Sequence, residues 1–116
     1  MEIHLKYTNI EPDGRIEEYI AKKITPLGKL LSGAAALHAW VEVGRITRHH
    51  KEGKVWYAEC QIKLPSKQSF YVNSTQNNIF FAIDEVREGL ERIIHTFKER
   101  QKSKLREKRV NKMRLL

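Results

Sequence analysis

Residues 79 to 97 read Ile-Phe-Phe-Ala-Ile-Asp-Glu-Val-Arg-Glu-Gly-Leu-Glu-Arg-Ile-Ile-His-Thr-Phe. At about 100° per residue, Ile79, Ala82, Ile83, Val86, Leu90, Ile93, Ile94 and Phe97 fall in one sector. Such a stripe predicts a long helix, starting near Asn77 or Asn78, with its apolar side laid on another layer. Beyond Phe97 the stripe stops. Arg100 and Lys104 take the sector that Val86, Leu90 and Phe97 occupied. A helix that continues past this point must leave its support and project into solvent or onto a partner.

The layer under it is legible upstream. Ile3, Leu5 and Tyr7 alternate with His4, Lys6 and Thr8, the period of a half-buried strand. Pro12-Asp13-Gly14 breaks that strand, and Asp13 is placed to cap a helix. Ile16, Tyr19, Ile20, Ile24 and Leu27 recur at helical spacing, and Pro26 and Gly28 should kink or end this helix. Ser32-Gly33 closes the segment. Leu37, Ala39, Val41 and Val43 then alternate with His38, Trp40 and Glu42. After the turn-like His49-His50-Lys51-Glu52-Gly53, Trp56, Ala58, Cys60, Ile62 and Leu64 form one strand face, and Val55, Tyr57, Glu59, Gln61 and Lys63 the other. Pro65-Ser66 makes a second turn, and Phe70-Tyr71-Val72 reads as a shorter strand. Short connections make these three strands antiparallel hairpins. The fold class is α+β, in the order β-α-β-β-β-α, with two helices packed on one face of a four-stranded sheet.

With 116 residues and 41% hydrophobic content the chain suits one folded domain. No apolar run resembles a signal peptide or a membrane span, and a lone Cys60 excludes an internal disulfide. The expectation is a soluble cytoplasmic protein without membrane partners. Catalytic constellations are lacking. The five histidines (His4, His38, His49, His50, His95) are scattered in sequence, and none has zinc-ligand spacing with Cys60. Cys60 falls on an apolar strand face, as a packing thiol does. The glycines are isolated, so no phosphate loop is present. Asp84, Glu85, Glu88 and Glu91 read as a solvated helix face. We therefore expect no enzyme activity, no metal, no cofactor and no small-molecule substrate. Trp56 and Phe97 lie on core-facing stripes. Trp40 and Tyr57 lie on the opposite sheet face, either as a cross-strand contact or as a stacking platform for bases.

Charge is the functional signal. Between Lys98 and Leu116 there are nine basic residues and two acids, a net +7 out of +8 for the chain. Arg87, Lys98, Lys102 and Arg109 share one flank of the long helix, and Arg92 and Arg106 another. Lys22, Lys23 and Lys29, from the first helix, should lie alongside. Two helices contributing cations to one surface suit phosphate binding, and the absence of a groove-reading helix favours RNA over DNA.

The segment Asn78-Ile79-Phe80-Phe81-Ala82-Ile83-Asp84, followed by Leu90-Glu91-Arg92 and the lysine-rich run, resembles the signature D-x-Y-x-A-I-D…L-x-R-Q-L-x-K-x-K of the ribosome hibernation promoting factors. These are also called ribosome-associated inhibitor or subunit-interface proteins. Met1-Glu2-Ile3, Tyr19-Ile20-Ala21-Lys22-Lys23-Ile24 and Arg48-His49-His50-Lys51 agree with it. The resemblance implies a mixed sheet, its first two strands parallel through the crossover helix. It also implies a non-catalytic stress factor that binds the small ribosomal subunit near the decoding centre and blocks the messenger and transfer RNA sites. By matching position Lys23 and Arg92 carry RNA contacts, with the run from Lys98. The RNA-binding set is then Lys22, Lys23, Lys29, Arg87, Arg92, Lys98, Arg100, Lys102 and Lys104. Residues 1–104 would be the ribosome-binding domain and 105–116 a basic extension, with disorder in the absence of RNA as one alternative for it. The protein is expected to be monomeric off the ribosome, and to lack the dimerising second domain of long members. Asn78 and Phe80 depart from the motif conservatively. Pro26 and Gly89 stand where lysines are common. The competing reading is a general double-stranded-RNA-binding module or RNA chaperone, whose layout is similar.

Overall fold

A computed structural model describes residues 1–31, 37–46 and 55–114. The expected features at Ser32-Gly33 and at Arg48–Lys51 lie outside the described residues. Strand β1 (Glu2–Thr8) leads into helix α1 (Gly14–Ile24) and a one-turn helix α2 (Leu27–Leu30). Strands β2 (His38–Arg45), β3 (Trp56–Lys63) and β4 (Ser69–Gln76) follow, then helix α3 (Ile79–Arg114). The sheet order is β1-β2-β3-β4. The β1–β2 pair is parallel, with Glu2 opposite His38 and Thr8 opposite Gly44, and the other two pairs are antiparallel. The sheet is mixed, as the crossover through α1 requires.

Local chemistry accounts for the boundaries. Asp13 has extended backbone, and its carboxylate accepts the Arg15 amide at 2.9 Å, capping α1. The Arg15 guanidinium also donates to it and holds its pKa below the usual carboxylate value. α1 stops at Ile24, and the turn at Thr25–Pro26 restarts the chain as α2. The Asn78 side chain accepts the Phe80 amide at 2.7 Å at the start of α3. β4 is longer than its apolar residues suggested. Asn73, Ser74, Thr75 and Gln76 extend it because β3 offers them a full ladder up to Trp56, opposite Gln76.

One core lies between the sheet and the helices. α1 contributes Ile16, Ile20 and Ile24; the sheet contributes Ala39, Val41, Val43, Ala58, Cys60, Ile62 and Phe70. α3 contributes Ile79, Ala82, Ile83, Val86, Leu90 and Ile94. Phe97 closes this contact, its ring edge-on to Phe70 at a centroid distance of 5.2 Å. Ile93 departs from the expected stripe and stays partly exposed at the helix margin. From Glu99 to Arg114 α3 is exposed throughout. Its 36 residues make a rod of about 54 Å that overhangs the sheet and stretches the molecule to 64 × 30 × 20 Å.

The α3–β4 contact is unusually close at Gly89, which is buried. A Cβ there would stand 2.8 Å from Val72 Cγ1 and 3.2 Å from Cγ2. Gly89 is thus a packing residue of this interface. Although Ala is the better helix former by about 1 kcal/mol, overpacking costs about 1–3 kcal/mol. We expect Gly89→Ala to lower the urea midpoint, and Val72→Ala to be less damaging in the Gly89→Ala background than alone. Additive losses in that double-mutant cycle would show that the two positions do not press on each other.

Candidate nucleic-acid interface

Helices α1 and α3 meet through a polar triad. The Tyr19 hydroxyl donates to Asp84 Oδ1 at 2.6 Å, and Lys23 Nζ lies 3.6 Å from the same oxygen. Lys23 also stands 5.4 Å from the Tyr19 ring centroid, and Phe80 meets that ring edge-on at 5.1 Å. The bond to the Asp84 carboxylate, with some burial, pushes the Tyr19 phenol up to about 12. Asp84 is therefore a tertiary anchor. Glu85 has the same character, accepting from Ser74 and Gln76 of β4. The expected solvated helix face offsetting nearby cations holds for Asp84 in its pairing with Lys23, but both carboxylates also tie α3 to its neighbours. Glu91 fits it better, lying 3.8 Å from Arg87 and 4.0 Å from His95 along the helix.

The cations divide into two groups. Arg92, Arg100 and Lys104 line an open groove of about 650 Å³ where α3 leaves the sheet over the β3–β4 turn. Phe70, Phe97 and Ile93 give this groove an apolar component, and Gln68 and Ser69 its other bank. The three cations are exposed and form no ion pair among the described residues. Lys98 and Lys102 stand on a different side. Lys102 is about five helical turns beyond Asp84 and so falls on the flank that Asp84 turns toward α1. Lys22 is exposed on α1, and half-buried Lys23 is held by Asp84. Arg87 pairs with Glu91, and Lys102 with Glu99 at 3.8 Å. Lys29 belongs to α2 and not to the first helix, where the sequence reading put it. The expected set thus keeps the two flanks of α3 given by helical phase, one of them bordering the groove and the other turned toward α1. Helical phase carried that signal, but the position of the β3–β4 turn beneath Phe97 did not show in it.

The other side of the sheet is chemically distinct. Trp40 stands opposite Gln61 and Tyr57 opposite Gly44, so the two aromatics do not form a cross-strand pair. Tyr57 lies over Gly44, where a Cβ would come within 2.8 Å of its hydroxyl, and it donates to Glu42 at 2.6 Å. Burial and that bond raise its pKa. Tyr71 donates to Glu59 at 2.7 Å, which raises its pKa likewise. Trp40 is 41% exposed, with Lys63 Nζ 5.2 Å from its ring. His4 and His38, scattered in sequence, meet here, while His49 and His50 lie outside the described residues. Cys60 is completely buried, and burial pushes its thiol up to about 12, so it remains protonated at neutral pH.

Comparison with known proteins agrees with this architecture. The family described as sigma 54 modulation protein / S30EA ribosomal protein matches residues 3–102. The chain belongs to this family. Two solved structures align along almost their whole length. The N-terminal domain of Protein Y from Thermus thermophilus is 28% identical, with a TM-score of 0.69, covering 84% of this chain and 99% of that one. A ribosomal subunit interface protein from Coxiella burnetii, at 14% identity and a TM-score of 0.66 over 85% and 99% of the two chains, shares the fold. No curated protein sequence matches the chain.

Within the S30EA family fold, the departures read from the sequence have physical answers. Asn78 still caps α3, and Phe80 still packs as an aromatic against Tyr19. Pro26 is exposed and starts α2, so no helix cation stands at that place. Because the raised Tyr19 pKa favours the protonated phenol, its contribution is fully present below pH 10. It is lost as pH rises through about 12. Tyr19→Phe should cost roughly 1 kcal/mol in urea denaturation at pH 7. The gap between wild type and variant should narrow between pH 10 and 12. A gap independent of pH would mean that the bond to Asp84 adds nothing to stability.

Proposed function

We propose that this protein is a ribosome hibernation factor. It binds the small ribosomal subunit near the decoding centre through ribosomal RNA phosphates and blocks the messenger and transfer RNA sites. Translation is thereby silenced under stress. Membership of the family described as sigma 54 modulation protein / S30EA ribosomal protein supports the ribosome as target. The observation that carries the chemistry is the groove of Arg92, Arg100 and Lys104 beside Phe97 at the root of the projecting helix. Arginine there can grip phosphate oxygens in a bidentate fork or lie flat on a base. Lys22, Lys23, Lys29, Arg87, Lys98 and Lys102 extend the positive surface, and residues beyond Lys104 add affinity as a basic extension. The action is steric and non-catalytic, it takes place in the cytoplasm, and the protein is monomeric off the ribosome.

Sedimentation of purified ribosomes and isolated subunits with the protein tests this directly. Binding should favour small subunits, yield to messenger or transfer RNA, and weaken steeply with salt. The combined Arg92→Ala, Arg100→Ala, Lys104→Ala variant should make the log–log salt slope shallower by about 2 to 3. It should also relieve inhibition of translation in vitro. The Lys22→Ala, Lys98→Ala, Lys102→Ala variant should weaken binding less. The reverse order would move the site to the α1 flank, and equal affinity for random duplex RNA would instead mark a general double-stranded-RNA binder.

A further inference from the structure

On the open face of the sheet, away from α1 and α3, three potential metal-binding side chains converge. Glu2 and His4 are two residues apart on β1 and so share a face. His38 stands beside them on β2, in register with Glu2. His4 Nε2 is 2.9 Å from His38 Nδ1, and Glu2 Oε2 is 3.5 Å from the same nitrogen. All three groups offer one ligand atom each within 4.8 Å of the others. The backbone beneath is secured, since the Glu2 amide donates to Leu37 O at 2.9 Å. The Trp40 ring lies within 18° of the His4 plane and 29° of the His38 plane, which limits how the imidazoles can turn.

From this geometry we infer that Glu2, His4 and His38 form a surface site for a borderline divalent transition metal, of which Zn²⁺ is the type. One proton can serve this cluster, linking the two imidazoles in the 2.9 Å hydrogen bond with Glu2 Oε2 beside it. A divalent cation in place of that proton would draw on a lone pair from each of the three groups. The separations also fit. Donor atoms about 2.0–2.1 Å from a tetrahedral ion lie about 3.3 Å apart, between the 2.9 and 3.5 Å found here. Two imidazoles with one carboxylate are a Zn²⁺, Ni²⁺ or Cu²⁺ donor set and a poor one for Mg²⁺. Three protein ligands leave a coordination position for water or for a donor from a partner. His4 and Trp40 also line a shallow pocket of about 290 Å³, so the face is accessible. Such an ion would clamp edge strand β1 to β2. The site shares no residue with the cationic groove and is independent of the proposed ribosome binding.

Titration calorimetry of the full chain with Zn²⁺, and Co²⁺ absorption as a report of nitrogen and oxygen coordination, test the site. One ion should bind per chain and raise the melting temperature, and excess Mg²⁺ should not displace it. His4→Ala and His38→Ala should each weaken binding by at least about 10-fold, and Glu2→Gln should weaken it less. All three variants should keep the wild-type far-UV circular dichroism, because the residues lie outside the core. A paired His49→Ala, His50→Ala variant should bind as wild type does. Zn²⁺ uptake unaffected by loss of His4 and His38, uptake abolished by loss of His49 and His50, or no uptake at about 1 mM ion would each overturn the assignment.

Discussion

The contact of Gly89 with Val72 sets how closely α3 can lie on β4, and the direction of everything beyond the sheet follows from it. A helix seated one methyl group farther out would lift Leu90 and Ile94 from the core and move Phe97 off Phe70. Glu85 reinforces the seat by taking hydrogen bonds from Ser74 and Gln76, so the N-terminal half of the helix is tied to β4 by polar as well as apolar contacts. Asp84 ties the neighbouring flank to α1 through Tyr19 and Lys23. These attachments aim a lever. Arg92, Arg100 and Lys104 are placed by residues in the packed half, up to about three turns away along the rod.

Pairing separates the cations by the work that a phosphate must do to engage them. Arg87 and Lys102 already have carboxylate neighbours on their own helix, and Lys23 is shared between Asp84 and the Tyr19 ring. Exposed pairs of that kind are worth only about 0–1 kcal/mol, so a polyanion can take over such a cation cheaply. Lys23 is different, because it is half-buried and its partner also anchors Tyr19. Displacing it disturbs the α1–α3 contact. On this reasoning Lys23 is fixed in place, whereas the groove cations, with no ion pair among the described residues, are free to reorient. The open sheet face, with Glu2, Glu42 and Glu59 held in hydrogen bonds or ion pairs, has little to offer a phosphate chain.

What could be read from sequence followed the range of the interactions. Alternation in β1 to β3, the Asp13 cap, the break at Pro26 and, Ile93 apart, the apolar stripe of α3 are local, and each is present as expected. The length of β4 was hidden because Asn73, Ser74 and Gln76 are polar and do not favour strand, and they owe their conformation to the β3 ladder. The parallel pairing of β1 and β2 came from the family resemblance and not from periodicity. Its consequence, that His4 meets His38 34 residues away, depends on register, which no local pattern encodes. The packing role of Gly89 was hidden for a related reason. Seen in sequence it was a missing lysine, but the buried face of the helix includes position 89 and its neighbour is Val72. The expected site residues are cations on helices, and helical phase separates those of α3 into two flanks; that one flank borders a groove depends on the place where the helix leaves the sheet.

The projecting segment is where stability and binding become linked. Beyond Phe97 α3 has no core contact, and an unsupported helix of this length is marginal in water. Two features favour it: the packed half has already met the cost of nucleation, and Lys, Arg, Glu, Gln and Leu propagate helix well. Opposing them, Lys98–Lys102, Arg100–Lys104, Lys102–Arg106, Lys104–Lys108 and Lys108–Lys112 set like charges one turn apart, and Glu99 and Glu107 are the only acids available to offset them. The repulsion is strongest when no polyanion is present. A phosphate chain along this rod would neutralise those pairs, so part of its binding free energy is relief of a strain the free protein carries. The same charges that would draw the helix to a polyanion are therefore those that oppose its continuation beyond the sheet.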